Sequence, residues 1–251
     1  MEDQVDRLVR KTWEKYQQLP TSKRFLIAVA GIPGSGKTTL ASIVASRLNA
    51  LHAENAPAFS NIPIAAFIPL DGYHLTRSQL SALPDPSTAH ARRGAAFTFD
   101  ASAYLALVKK LRAPICPESK TIYAPSFDHA VKDPIADDIP VAPTIKVCVF
   151  EGNYVALNKD EWAEATLLMD EIWWVEVDEN VARERLVRRH VKAGIAKDEE
   201  EAGQRADEND LVNGREIIEG RVDIVREWIV SREDEGWKPE AHKQYGKPLN
   251  C

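Results

Sequence analysis

The stretch Arg24 to Leu40, RFLIAVAGIPGSGKTTL, constrains this chain more than any other. Phe25 to Ala30 is a short apolar run, the pattern of a buried strand. It breaks into Gly31-Ile32-Pro33-Gly34-Ser35-Gly36-Lys37-Thr38, which satisfies G-x-x-x-x-G-K-[ST]. Leu40, Ile43, Val44 and Leu48 then recur at helical spacing. Strand, glycine-rich loop and helix form the context in which this motif binds phosphate. Glycines let backbone N–H groups close around the oxygens, and the helix N-terminus adds unpaired donors and a favourable dipole. Lys37 brings a point charge to the β- and γ-phosphates, and Thr38 a hydroxyl to Mg²⁺. Gly31, Pro33, Gly34, Ser35, Gly36, Lys37, Thr38 and Thr39 are the expected nucleotide-binding residues. The alternative is a glycine-rich turn arising by chance between a strand and a helix. The loop predicts nucleotide binding and is silent on what the nucleotide is used for.

Composition narrows the setting. At 251 residues with 44% hydrophobic content the chain can build a sizeable core, and no composition break divides it, so residues 1–251 are expected to form a single domain. The net charge of −6 argues against a general nucleic-acid binder. Cys116, Cys148 and Cys251 are scattered without metal-ligand spacing, which suggests a reducing compartment. The opening MEDQVDRLVR has early acids and no apolar segment, unlike a signal peptide or a mitochondrial presequence. No apolar run approaches the roughly 18 residues of a membrane span. A cytoplasmic protein is the expectation.

Val5, Leu8, Val9, Trp13 and Tyr16 recur helically, so an amphipathic helix is expected within residues 1–20, covering an edge of the core. Ile64 to Leu70 reads as a second strand running into Asp71-Gly72-Tyr73-His74, and residues 76 to 100 carry little regular pattern. Asp100 is placed to cap a helix through Tyr104, Leu105, Val108 and Leu111. A short strand is expected at Lys120–Tyr123, and Pro134, Asp137, Asp138 and Pro140 mark an exposed turn. Thr144 to Phe150 is a strand ending in Glu151, and Ile172 to Val177 another, after which Asp178 caps an arginine-rich helix. Ile218, Val222, Val225 and Ile229 suggest a last helix over about Leu211–Val230, and the tail at 233–251 looks irregular. Alternating strands and helices predict an α/β fold with a mostly parallel sheet covered on both faces.

In such a sheet ligands bind at the carboxyl ends of the strands, where Asp71 and Glu151 fall. Asp71 is expected to accept or orient the proton of an acceptor hydroxyl, and Glu151 to hold Mg²⁺ directly or through water. Either acid could instead be a turn cap. Arg183, Arg185, Arg188 and Arg189 form a basic cluster in an acidic chain, suited to neutralise a transferring phosphoryl group if the helix folds over the nucleotide. A solvated helix face is the plainer reading. Arg92 and Arg93 suit an anionic substrate group or form a surface pair. Tyr73, His74, Tyr123, Asp128 and His129 flank turns suited to an acceptor pocket.

Taken in order, GIPGSGKTTL (31–40), LDGYHL (70–75), RRGAAFTFD (92–100), YAPSFDHAVKDP (123–134), FEGNYVALN (150–158) and RLVRRHVKAG (185–194) resemble the uridine kinase, phosphoribulokinase and pantothenate kinase superfamily of P-loop small-molecule kinases. Within it they look most like a branch of nucleoside- or fructose-transport-associated kinases with fungal members. The resemblance covers about Arg24 to Asn213. It implies the P-loop NTPase fold with a five-stranded parallel sheet, ATP with Mg²⁺ as donor, and an arginine-bearing lid helix within a lid region at 183–210. Lys37, Asp71, Arg185 and Arg189 then fall in catalytic positions, Thr38 and Glu151 at the metal, and Tyr73, His74, Arg93, Tyr123 and Asp128 on the acceptor side. His190 stands where uridine kinases often show an aspartate, and Ser126-Phe127-Asp128-His129 departs from the pattern expected around uracil, so the acceptor stays open. The implied activity is transfer of the γ-phosphate to a hydroxyl of a small polar metabolite that is nucleoside-, sugar- or pantothenate-like. No nucleic-acid or membrane partner is implied, and a homodimer is left open. The alternative is a nucleotide-dependent switch acting on a protein partner.

Overall fold

The computed structural model describes residues 1–55 and 62–232. Its helices and strands run α1 (Glu2–Gln17), β1 (Phe25–Ala30), α2 (Lys37–Asn55), β2 (Ala65–Pro69), α3 (Arg77–Ser81), α4 (Pro86–Ala91), α5 (Ala101–Arg112), β3 (Ile122–Asp128), β4 (Asp133–Val141), β5 (Val147–Glu151), α6 (Asp160–Leu167), β6 (Glu171–Glu176), α7 (Glu179–Lys192), α8 (Glu199–Arg205), α9 (Leu211–Glu219) and β7 (Glu227–Val230). A π-helical segment, Ala206–Asp210, joins α8 to α9. Five strands form a sheet in the order β2-β5-β1-β6-β7, every neighbouring pair parallel. Among the described residues no helix is long and apolar enough to cross a membrane.

Alternation along β1 builds the two layers around the sheet. Phe25, Ile27 and Val29 join one core with Val5 and Leu8 of α1 and Leu40 and Val44 of α2. Leu26, Ala28 and Ala30 join the other with Tyr104 and Val108 of α5 and Trp162 and Ala165 of α6. All six β1 residues are buried, which explains the uninterrupted apolar run of a central parallel strand. Register aligns the strand ends that matter: Glu151 of β5 pairs with Val29 on one side and Pro69 on the other. The P-loop after β1, the Asp71 turn after β2 and Glu151 therefore leave the sheet at one level, its carboxyl edge.

Helical capping follows the sequence closely. The Asp100 carboxylate accepts from the Ala103 N–H, and the Asp178 carboxylate from the Asn180 and Val181 N–H groups, so both acids start their helices as expected. Residues 76–91 depart from expectation, because two short helices form there. Thr76 and Gln79 make a reciprocal capping box at α3, and Asp85 caps α4.

Two larger departures concern strands. The expected turn around Pro134–Pro140 is β4, paired antiparallel with β3 in a separate two-stranded hairpin, and β3 runs on to Asp128 where a strand ending at Tyr123 was expected. A two-stranded ribbon has an open edge on each side, so proline costs it no ladder bond there, and Asp137 takes a left-handed φ of 54°. The expected helix over 211–230 ends at Glu219; Gly220 follows, and the chain then forms β7, the fifth strand. Ile218 is consequently exposed and Ile217 buried, while Ile229 reaches the core from a strand. The N-terminal helix forms as expected. The tail expected at 233–251 lies outside the described residues.

Candidate active site

The P-loop adopts the conformation its glycines permit. Gly34 and Gly36 have φ of 81° and 86°, in the left-handed region. A Cβ on Gly34 would also stand 2.6 Å from the Ala182 carbonyl oxygen, because α7 packs its first turns against the loop. The Ser35 N–H closes the turn on the Ile32 carbonyl at 3.1 Å, and the Ser35 hydroxyl is buried with no hydrogen-bond partner among the described residues.

Lys37 is buried and donates to the Ile32 carbonyl at 3.2 Å. Burial lowers its pKa first, and Arg189 adds to this, while Glu151, Asp71 and Asp210 oppose it. Thr38 Oγ1 donates to Glu151 Oε1 at 3.0 Å. Burial pushes the Glu151 carboxyl up to about 7, with Lys37 pulling the other way and Asp71 reinforcing the rise. One ammonium, one arginine and three acids thus converge at the head of α2.

The donor set at this point is a hydroxyl and a buried carboxylate, both hard oxygen ligands. Mg²⁺ takes such ligands, commonly one or two carboxylates together with substrate phosphates. Thr38 and Glu151 fit it, and the partnerless Ser35 hydroxyl in the loop fits an incoming oxygen.

Asp71 stands in a short 3₁₀ turn after β2, its side chain 54% exposed. His74 Nε2 lies 3.8 Å from its carboxylate. The His74 ring stacks on Phe99 with centroids 4.0 Å apart and touches Phe127 at 5.2 Å. Burial depresses its pKa to about 4 despite Asp71, so the imidazole is neutral at pH 7. Gly72 is required here, since a Cβ would fall 2.2 Å from the Pro125 carbonyl oxygen of β3. A cleft of about 420 Å³ opens along this turn, walled by Gly72, Tyr73, His74, Asp100, Lys110 and Tyr123, with Asp71 and the P-loop residues outside its lining.

Arg185 and Arg189, one turn apart on α7, have different surroundings. Arg185 Nη1 donates to the Gly34 carbonyl at 3.2 Å and to Ser231 Oγ, just past β7, at 2.8 Å. Arg189 lies 3.8 Å from Asp210, and its charge lowers the pKa of both Lys37 and Glu151. Asp210 also pairs with buried His190, at 2.9 Å from Nε2. Arg183 turns away into a bidentate pair with Asp207.

The remaining expected acceptor residues separate. Tyr73 and Tyr123 line the cleft with His74, Tyr73 buried and Tyr123 half exposed. Asp128 accepts from the Ala130 and Val131 N–H groups at the hairpin turn, bonds that hold its carboxyl below the usual range. Arg93 reaches the Lys132 and Leu75 carbonyls and the Asp133 carboxylate, with Phe127 under its guanidinium, so it braces the hairpin. Asp210, Asn209 and Asn213 escaped the sequence reading; the signal available was an acidic and amide-rich run following the α7 arginines.

No family model matches the chain. A protein of Aspergillus versicolor named ATP-dependent kinase-like protein notR' is 48% identical over 155 residues, covering 62% of this chain and 90% of that protein. A Schizosaccharomyces pombe protein provisionally named a uridine kinase is 40% identical over 195 residues, 78% of each. The crystal structure of a provisionally titled fructose transport system kinase from Silicibacter sp. TM1040 matches with a TM-score of 0.73 at 29% identity, over 89% of this chain and 98% of that one. The fold is also that of YFH7 from Saccharomyces cerevisiae, with a TM-score of 0.76 at 21% identity over 93% and 99% of the two chains. A parallel sheet with a P-loop at its carboxyl edge defines the class of P-loop nucleotide-binding proteins. The chain belongs, within that class, to the uridine-kinase-like family of P-loop ATP-dependent kinases.

Proposed function

We propose that this protein transfers the γ-phosphate of ATP to a hydroxyl of a small polar metabolite, nucleoside-, sugar- or pantothenate-like, seated in the cleft beside Asp71. The carrying observation is the convergence of Lys37, Thr38, Glu151 and Asp71 at one edge of the sheet. The N–H groups of Gly34–Thr39 would cradle the phosphates. Lys37 exchanges its Ile32 carbonyl for phosphate oxygens, which relieves the cost of a buried ammonium. Thr38 and Glu151 would hold Mg²⁺, which neutralises phosphate charge when bound. Asp71 accepts the acceptor's hydroxyl proton or aims it, and Arg189 meets charge developing on the transferred group.

The cleft supports a small acceptor over a protein partner. Its 420 Å³ lies within the range of small-molecule sites, and Asp100, Lys110 and Tyr123 supply polar groups on an apolar wall. A thermal-shift screen of hydroxylated metabolites with ADP and Mg²⁺ tests this. A true acceptor at 100 times its dissociation constant stabilises by about 2.7 kcal/mol, and Tyr123→Ala should reduce that shift. Shifts unaffected by Tyr123→Ala would move the acceptor elsewhere. A single domain spanning 1–251, with 183–210 closing as a lid, belongs to the same proposal.

A further inference from the structure

The loop at Arg92–Gly94 is tied into both the lid crossover and the turn after β5. Arg92 donates from Nε to Asn209 Oδ1 at 2.9 Å and from Nη2 to Asn213 Oδ1 at 2.8 Å. Asn209 Nδ2 donates back to the Arg93 carbonyl at 3.2 Å. Tyr154, three residues past Glu151, donates its hydroxyl to the Gly94 carbonyl at 2.9 Å. Asn209 and Asn213 are 5% and 2% exposed, so their amides depend on protein partners. A planar guanidinium spans both at once, and a lysine ammonium lacks that fork.

Asn209 immediately precedes Asp210, and both lie in the π-helical segment 206–210. A π turn displaces the side chains that follow it relative to an α-helix, and such turns recur at functional sites. Here it brings Asp210 against His190 and Arg189. The asparagines flanking that aspartate are both held by one side chain, Arg92. The next residue, Arg93, grips the Leu75 and Lys132 carbonyls on the acceptor side.

We propose that Arg92 is a positioning residue: it locks the π turn so that Asp210 holds Arg189 toward the P-loop, and so couples the acceptor-side loop to the lid. Arg92 touches no substrate in this role. The effect on turnover rests on the kinase reading; the effect on the lid does not.

The test is Arg92→Lys, with two arms. In the first, amide hydrogen exchange is followed with and without Mg²⁺ and a non-hydrolysable ATP analogue. Wild type should gain protection at 92–96 together with 206–213. Arg92→Lys should lose the response at 92–96 and bind the analogue within about twofold of wild type, because no phosphate contact is removed. Equal responses in both proteins would overturn the proposal. In the second arm, turnover of Mg·ATP is compared in a cycle with Arg189→Lys. Arg92→Lys should cost about tenfold alone, the scale of one charged hydrogen bond, and under about twofold on the Arg189→Lys background. Equal losses on both backgrounds would show that Arg92 acts without Arg189 and would overturn it too. If Arg92→Lys is poorly folded, Asn213→Ala serves in both arms, since it removes the acceptor for Arg92 Nη2 and leaves Arg92 itself in place. A wild type that turns over no ATP with any metabolite removes the kinase reading and leaves the exchange arm to decide on Arg92.

Discussion

The Thr38 hydroxyl donates a 3.0 Å hydrogen bond to the Glu151 carboxylate, joining the first turn of α2 to the end of β5. The bond links the two residues best suited to hold a divalent cation, and it stands next to a buried ammonium. Glu151 is raised to about 7 mainly by burial, so at neutral pH the protein carries a carboxylate whose ionisation opposes folding.

Glu151→Gln follows from that. A carboxyl whose pKa rises from 4.5 to about 7 on folding contributes stability that is fully present below pH 4.5 and is lost as pH rises through 7. The glutamine stays neutral throughout. The ligand-free variant should be more stable than wild type at pH 8, by up to roughly 3 kcal/mol, and the gap should close below pH 4.5. Denaturant melts across pH read this directly. The same variant should lose most Mg²⁺-dependent nucleotide binding, measured by calorimetry.

His74 predicts the opposite slope. Burial depresses its pKa from 6.5 to about 4, so its contribution to stability is present above pH 6.5 and is lost as pH falls through 4. His74→Phe keeps a ring against Phe99 and has nothing to protonate. Its melting temperature should therefore fall less than that of wild type between pH 6.5 and 4.

Gly34→Ala should damage nucleotide binding and stability together. Its φ of 81° costs an L-residue about 1–2 kcal/mol. The new methyl would press on the Ala182 carbonyl, forcing α7 and the loop apart. A fluorescent ADP analogue should bind at least about tenfold more weakly, as expected when backbone donors shift off their phosphate oxygens.

The two α7 arginines, Arg185 and Arg189, should divide by assay. Arg185 pins the Gly34 carbonyl to Ser231, so Arg185→Lys should weaken ADP binding. Arg189 is the residue proposed to meet charge on the transferred group, so Arg189→Lys should leave ADP affinity near wild type and lower turnover by about 100-fold. Equal effects of the two variants on binding would contradict this division.

Much of this site is local in the chain and therefore legible there. Gly31–Thr39 carries its own strand, loop and helix, and Asp71 and Glu151 announce themselves as acids at the ends of apolar runs. What stayed hidden depends on the fold. Ile218, Val222, Val225 and Ile229 satisfy helical spacing, yet Gly220 ends the helix and an edge strand forms against β6. Pro134 and Pro140 read as turn residues because nothing local shows that β4 belongs to a separate two-stranded hairpin. Arg92 is separated from Asn209 and Asn213 by more than a hundred residues, and no spacing in the chain announces that contact. The resemblance to small-molecule kinases supplied the five-stranded sheet correctly, although the fifth strand is β7 and lies where a helix was expected.

Phosphoryl transfer itself gives the most direct test. ADP release and the mass of the acceptor product should be followed with Mg·ATP across nucleosides, sugars and pantothenate-like acids, with wild type and Asp71→Asn in parallel. The site predicts that at least one hydroxylated metabolite accelerates ADP release and gains the mass of a phosphoryl group, and that Asp71→Asn lowers this rate by about 10²–10⁴-fold. ADP release that no metabolite stimulates, at a rate Asp71→Asn shares with wild type, would contradict it.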